Sequence, residues 1–244
     1  MKVFFIDLDN TMFFGGVFPP ENAEAIKKAR KAGNLVILNT GRGRSYIPWD
    51  LMPGVEYDGI IAGLGSYVEF GGEILYTCPI PMEDCLRVYN IFLKNGKWNK
   101  FEGVQFTLLQ NMVEGERKIL TSEEQLREKC AVEPLLKFTC DRLTDGEERS
   151  LADTLQIFSY KGYSEGVKKG ESKGKGIKKL LEHLGISTDD CVALGDSKND
   201  VEMFKICKNG AAMGNAEPEL LEICTYKARH ATDGGAADAI YHFM

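Results

Sequence analysis

The chain has no basic excess, no Cys-x-x-Cys pair, no long apolar run and very little histidine, and each absence removes a class of function. Its 30 Lys and Arg stand against 36 Asp and Glu, a net charge of −6. General nucleic-acid binders normally carry a basic excess, so no nucleic-acid partner is expected, although a locally positive pocket for an anion fits an acidic protein. The 7 cysteines, at 78, 85, 130, 140, 191, 207 and 224, are irregularly spaced. That argues against a zinc site or dithiol centre and for small buried residues in a reducing compartment. His183, His230 and His242 share no metal-binding spacing. No segment approaches the roughly 18 apolar residues of a membrane span. The opening Met1-Lys2-Val3-Phe4-Phe5-Ile6 meets Asp7 too soon for a signal peptide, so the expectation is a cytoplasmic chain with no membrane partner. Nor is there a Walker loop in Gly170–Gly176 or a dinucleotide fingerprint at Gly41-Arg42-Gly43, where Tyr46 breaks the pattern. Charge is ordinarily mixed, and no protein partner is predicted.

What is present is globular: 244 residues, 43% hydrophobic and 27% charged. That length suits one α/β core carrying an insertion better than two independent domains. Val3–Ile6 is a continuous apolar run of the kind buried on both faces of a parallel sheet. Pro19-Pro20 precede a helix expected over 21–32, where Ala25, Ile26, Ala29 and Ala32 recur at helical spacing. Residues 35–38 and 59–62 read as further buried strands, and 67–76 as a hairpin turning at Gly71-Gly72. Past Pro79 and Pro81 the texture changes. An amphipathic helix over 82–93 is followed by strand candidates at 104–109, 135–139 and 155–160, with a charged helix near 122–129. After Gly170 the first texture returns, with helices over 175–184 and 201–206 and a strand over 191–194. The expected fold is therefore α/β, a doubly wound parallel-sheet, Rossmann-like core built from 1–80 and 162–244 and interrupted by an inserted α/β lobe, 81–161.

Four short clusters carry chemistry, and each has a plain alternative. Asp7-Leu8-Asp9-Asn10-Thr11 follows the first strand; in extended chain, positions i and i+2 face one side, so both carboxylates address one site and would suit a hard cation such as Mg²⁺. The plain alternative is a turn former or helix cap. Asn39-Thr40-Gly41-Arg42 follows the second strand with a hydroxyl, a glycine and a guanidinium suited to phosphate, or is simply a loop start with a solvated arginine. Ser172-Lys173-Gly174 opens a helix and equally reads as a basic helix start. Gly195-Asp196-Ser197-Lys198-Asn199-Asp200 places two more acids after a strand, where capping is the alternative. Taken together, the four fall at predicted carboxyl ends of strands or at a helix entry beside them, and that edge is where open α/β folds bind ligands.

In those clusters the chain resembles the haloacid dehalogenase (HAD) superfamily, specifically its Cof-like phosphatases with a large α/β cap, over essentially its whole length. Asp7-Leu8-Asp9-Asn10-Thr11 is similar to the first motif, Thr40-Gly41-Arg42 to the second, Lys173 to the third and Gly195–Asp200 to the fourth. Two departures stand out. Asn10 replaces the usual Gly, and Asn tolerates left-handed backbone better than most residues; Gly63-Leu64-Gly65 stands where such proteins commonly have Asn-Gly. The resemblance implies a Mg²⁺-dependent phosphatase acting on a small phosphorylated metabolite, a sugar phosphate before a nucleotide or pyridoxal phosphate, through an aspartyl-phosphate. Asp7 would be the nucleophile, Asp9 the acid and base, and Lys173 a catalytic and phosphate-binding residue. Thr40, Gly41 and Asn199 would bind phosphate, Asp7, Asp9 and Asp196 would hold the metal, and Asp200 would orient Lys173 or a metal-bound water. Specificity would lie in the cap, whose Trp98, Phe101, Phe106 and Phe138 could line a pocket but read more simply as the cap's own core. The alternatives are a phosphomutase of the same superfamily, which would need cap arginines such as Arg87, Arg117, Arg127, Arg142 and Arg149, and a catalytically silent phosphometabolite-binding module.

Overall fold

The structure, a computed structural model, describes residues 1–111 and 118–244. In chain order its first elements are β1 (Val3–Ile6), α1 (Pro20–Lys31), β2 (Leu35–Asn39), β3 (Gly59–Ala62), β4 (Tyr67–Phe70) and β5 (Glu73–Thr77). Then come α2 (Met82–Asn95), β6 (Asn99–Glu102), β7 (Thr107–Gln110), β8 (Lys118–Ile119), α3 (Glu123–Val132), β9 (Lys137–Asp141), α4 (Asp145–Leu151), β10 (Leu155–Ser159) and β11 (Tyr163–Lys168). The chain closes with α5 (Lys173–Leu184), β12 (Cys191–Gly195), α6 (Val201–Ile206), β13 (Asn209–Ala212), α7 (Pro218–Ile223), β14 (Tyr226–Lys227) and α8 (Gly235–Phe243).

The core sheet runs β14-β13-β12-β1-β2-β3-β4-β5. All four residues of β1 are buried, because parallel partners flank both its edges: Val3 pairs with Leu35 of β2 on one side and with Cys191 of β12 on the other. From β1 the chain winds outward through β2 and β3, and later returns through β12 to β13 and β14 on the opposite side. The direction of winding thus reverses between β1 and β12, and a crevice opens past their carboxyl ends. One face of the sheet packs Val3, Phe5, Ile37 and Ile61 against Ile177, Leu180 and Leu181 of α5 and Met203 and Phe204 of α6. The helix α1 begins with Pro20 in its first turn, where a missing N–H costs nothing, and buries Asn22, Ala25, Ile26 and Ala29. The turn Gly71-Gly72 has positive φ at both residues, as a tight turn between β4 and β5 requires.

The lobe has its own sheet, β10-β11-β9-β6-β7-β8. One face packs Phe101, Leu108, Phe138 and Cys140 against Cys85, Val88 and Phe92 of α2, Leu126 of α3 and Leu151 of α4. Phe101 and Phe138 therefore belong to the lobe's core, with ring centroids 6.5 Å apart, and Phe106 packs against the same cluster. The strand expected over 104–109 is instead split. The Glu133 carboxylate accepts the Val104 and Gln105 amides, the latter at 2.7 Å, so those residues form a turn and the ladder is carried by β6 and β7. The chain clusters into two compact units, Met1–Gly41, Pro48–Tyr76 and Ser172–Met244 for the core, Arg42–Ile47 and Thr77–Glu171 for the lobe. The expected lobe, 81–161, stops before β11, whose ladders with β9 and β10 carry the lobe further. Among the described residues, no helix is long and apolar enough to cross a membrane.

Candidate active site

The site is built where the winding reverses. The β1 ladder continues one residue past the strand, since the Asp7 amide donates to the Leu194 carbonyl at 2.9 Å. This carries the Asp7 carboxylate beyond the apolar strand while keeping it buried. The chain then folds back on itself: Met12 donates to the Leu8 carbonyl at 2.9 Å and Asn10 to that of Phe13 at 2.7 Å. Asn10 sits in the left-handed region at φ 60°, a conformation that asparagine tolerates, so the turn forms without the family's usual glycine.

Across the crevice, β12 ends at Gly195 and delivers Asp196 and Asp200. Asp200 is fully buried, and one of its oxygens accepts the amides of Asp196 and Ser197, each at 3.0 Å. Its other oxygen takes the Lys173 ammonium at 2.6 Å. A glycine is needed beside it: a Cβ on Gly195 would lie 2.6 Å from the Asp200 carboxyl carbon. Lys173 is buried at the start of α5 and also bonds Asp7. Ser172 caps that helix by accepting the Lys175 amide at 3.2 Å. The turn Gly63-Leu64-Gly65 sets the helix in place, since a Cβ on Gly65 would stand 1.9 Å from the Ser172 carbonyl oxygen. At φ +91° that position also favours glycine.

Carboxylate oxygens of Asp7, Asp196 and Asp200 lie within 4.8 Å of one another. Burial, helped by Asp200 and Asp9, outweighs the Lys173 ammonium and pushes the Asp7 carboxyl up to about 7. Burial and the charges of Asp7 and Asp200 push Asp196 up to about 8. Lys173 goes the other way: burial alone would lower it, but Asp200 and Asp7 hold its ammonium firmly protonated. Three buried carboxylates facing one ammonium leave negative charge that only protons or a cation can neutralise. All the acidic donors are hard oxygens, so the set fits a hard divalent ion.

Four of the residues singled out from sequence, Asp7, Lys173, Asp196 and Asp200, are thus in one cluster. Asp9 is half-buried on the turn after Asp7; its charge acts on Asp7, but its carboxylate is not one of the three grouped oxygens. Thr40 is buried just past β2 and Gly41 half-buried beside it. Asn199 is half-buried after β12, where its side-chain oxygen accepts the Ser197 hydroxyl at 3.1 Å. Two contacts were not anticipated. Thr11 donates to Asp196 at 3.3 Å, and the Asn39 amide donates to the Lys173 carbonyl at 3.3 Å. Both residues lie inside the quoted motifs, but only the fold aims their side chains.

The lobe carries a second polar group on the sheet face opposite its core. Lys100 and Glu102 of β6, Lys137 and Thr139 of β9 and Glu165 of β11 are all buried, and their strand register puts them on one side. Glu102 accepts the Thr139 hydroxyl and the Gly43 amide, each at 2.7 Å, and Lys137 pairs with Glu165. The Lys100 ammonium lies 3.4 Å from the centre of the Tyr46 ring. Of the lobe arginines, Arg87 is engaged by Asp84 and Asp153, Arg142 donates to the Tyr160 carbonyl, and Arg117 lies outside the described residues.

Known proteins resemble the chain along nearly its whole length. A profile of haloacid dehalogenase-like hydrolases matches residues 4–240. The 5-amino-6-(5-phospho-D-ribitylamino)uracil phosphatase YwtE of Bacillus subtilis is 26% identical over 277 residues, covering 97% of this chain and 96% of that protein. A phosphoglycolate phosphatase of Metallosphaera sedula is 26% identical over 250 residues, covering 98% and 97%. Among solved structures, the HAD subclass IIB sugar phosphatase BT4131 superposes with a TM-score of 0.82 at 23% identity, covering 100% of this chain and 99% of that one, which shows a shared fold. A buried acid cluster at the sheet's reversal point, an inserted α/β lobe and a match over nearly the whole length together establish that the chain belongs to the haloacid dehalogenase-like hydrolases, among the phosphatases of that family.

Proposed function

We propose that the chain is a Mg²⁺-dependent phosphatase that hydrolyses a small phosphorylated metabolite, a sugar phosphate, through an aspartyl-phosphate on Asp7. The observation that carries this reading is Lys173 held between Asp7 and Asp200, with Asp196 beside them in a buried crevice. Lys173 ties one oxygen of Asp7, and the carboxylate so oriented attacks phosphorus. As the new O–P bond forms, the bond from phosphorus to the leaving oxygen breaks, and Asp9 gives that oxygen its proton. Asp9 then takes a proton from the water that attacks the same phosphorus, releasing phosphate and restoring Asp7. Such proton transfer contributes about 10²–10⁴ in rate, and splitting one hard displacement into two easier ones contributes further.

Thr40, Gly41, Lys173 and Asn199 hold the phosphoryl oxygens. Asp200 places the Lys173 ammonium, because its own oxygens are engaged by that ammonium and by two backbone amides. Asp7, the Asp9 main-chain oxygen and Asp196 would hold Mg²⁺, which when bound neutralises charge on the ligands and the phosphoryl group. The resemblance to Cof-like phosphatases assigns selection of the leaving group to the lobe.

The test is phosphate release from a panel of phosphorylated metabolites and 4-nitrophenyl phosphate, with and without Mg²⁺, by wild type and by Asp7→Asn. The expected result is Mg²⁺-dependent release that the folded variant lacks, with sugar phosphates ranking highest. Turnover near wild type in Asp7→Asn would sink the nucleophile assignment. Tight ligand binding with no release, or phosphate retained on the product, would instead favour the silent module or the mutase.

A further inference from the structure

The turn that carries Asp9 is stitched to the carboxyl-terminal part of the chain by two asparagines, one on each side. Asn215 donates its amide to the Asn10 carbonyl at 2.9 Å and accepts the Ala231 amide on its oxygen at 2.9 Å. Asn22 repeats the pattern two residues on, donating to the Met12 carbonyl at 3.0 Å and accepting the Ala237 amide at 3.0 Å. The orientation of each side chain follows from its partners, because a carbonyl can only accept and an N–H can only donate. Asparagine satisfies both at once; aspartate supplies the acceptor but not the donor.

Asn215 also belongs to a segment that grips the other acidic loop. The Met213 amide donates to the Gly195 carbonyl at 3.1 Å and the Glu217 amide to the Asp196 carbonyl at 2.8 Å. Gly214 permits this close course, since a Cβ there would lie 2.8 Å from the His230 nitrogen. Residues 213–217 thus hold the main chain at Asn10, adjacent to Asp9, and the main chain at Asp196. Asn10 itself stands at φ 60°, so its carbonyl is turned toward the Asn215 amide that holds it.

We propose that Asn215 is a positioning residue for Asp9: by clamping the Asn10 carbonyl it fixes the turn that aims the proton-transfer carboxylate, and it sets that turn against the loop bearing Asp196. The assignment rests on the reading of Asp9 as acid and base. Asn215 acts through the Asn10 main chain rather than on the reacting atoms. Its loss is therefore felt in proportion to how much the leaving oxygen needs a proton.

The test compares kcat/KM for 4-nitrophenyl phosphate and phenyl phosphate, nearly the same size but with leaving groups of different basicity, in wild type, Asn215→Asp, Asn215→Ala and Asp9→Asn. kcat/KM covers the steps up to and including formation of the aspartyl-phosphate. A nitrophenolate leaves with little help, whereas phenolate, with the basicity of a tyrosine side chain near a pKa of about 10, needs the proton. Both Asn215 variants are expected to lose roughly tenfold or more on phenyl phosphate and less than about threefold on 4-nitrophenyl phosphate, a fraction of what proton transfer contributes. Asp9→Asn is expected to show the same bias more strongly. Simple unfolding would lower both substrates equally, and thermal melts check that the half-buried Asn215 position tolerates change. An equal loss on both substrates, or no loss, overturns the positioning role while leaving the phosphatase reading intact. A wild-type protein that releases phosphate from neither compound, nor from any member of the metabolite panel, overturns both.

Discussion

Lys173 shows at the scale of one residue how a buried charge is kept and used. Its ammonium is fully buried at the crevice and is held there by Asp7 and Asp200. Removing one member of such a buried group leaves the others uncompensated, which typically costs about 3–5 kcal/mol. Lys173→Met is therefore expected to lower unfolding free energy by roughly that amount in metal-free buffer, measured by denaturant titration, and to abolish phosphate release. A variant as stable as wild type would show that the cluster is already neutralised by protons. The acids of this cluster could be singled out because they follow buried apolar runs at strand ends, and Lys173 because Ser172-Lys173-Gly174 resembles a family motif. The contacts of Thr11, Asn39 and Asn215 were not legible, since a hydroxyl or an amide on a turn satisfies many partners and only tertiary structure chooses one.

Between elements, the controlling features are close approaches and buried charge. α5 reaches the crevice because Gly65 lets the 63–65 turn touch the Ser172 carbonyl, and because a Cβ on Gly176 would lie 2.4 Å from the Ile61 side chain. Gly65→Ala would collide with backbone rather than with a side chain that can swing aside. The start of the helix must then shift, and Lys173 with it. The expected outcome is a loss of turnover larger than the loss of stability predicts, read from kcat and a thermal melt; unchanged kcat would contradict this account of how the helix is seated. In the lobe, Glu102 joins β6, β9 and the segment 42–47. Although burial opposes it, Lys137 and Lys100 hold its carboxyl below the ordinary value of 4.5. A carboxyl lowered in the folded state adds stability that is present above its unfolded value and disappears as pH falls through the folded one. The stability gap between wild type and Glu102→Gln is thus expected at pH 7 and should close in acid below about pH 4. A gap independent of pH would mean that Glu102 acts by shape alone. The strands β6 and β11 were hard to read because the face opposite the core carries the charges of Lys100, Glu102 and Glu165, and β6 offers a single apolar residue, Phe101, to mark an alternation.

For the whole molecule, the alternation of apolar runs with helical spacing made the doubly wound core legible, including the return after Gly170 and the placement of acids at the sheet's reversal point. Less legible was the lobe's extent, because β11 has Ser164, Glu165 and Gly166 at its centre and gains its strand character from pairing with β9 and β10. The segment Arg42–Ile47 follows a core strand yet clusters with the lobe, which local pattern does not reveal. Among the described residues the 7 cysteines, scattered over both units, form no disulfide. The claim on which the functional account turns is covalent catalysis by Asp7, and trapping the phosphoryl group on the enzyme tests it most directly. Wild type mixed with Mg²⁺ and a substrate it turns over, then quenched in acid during turnover, should carry a hydroxylamine-labile phosphoryl group on the peptide containing Asp7, and Asp7→Asn should carry none. A phosphoryl group mapped to another residue, or rapid turnover by Asp7→Asn, would contradict it.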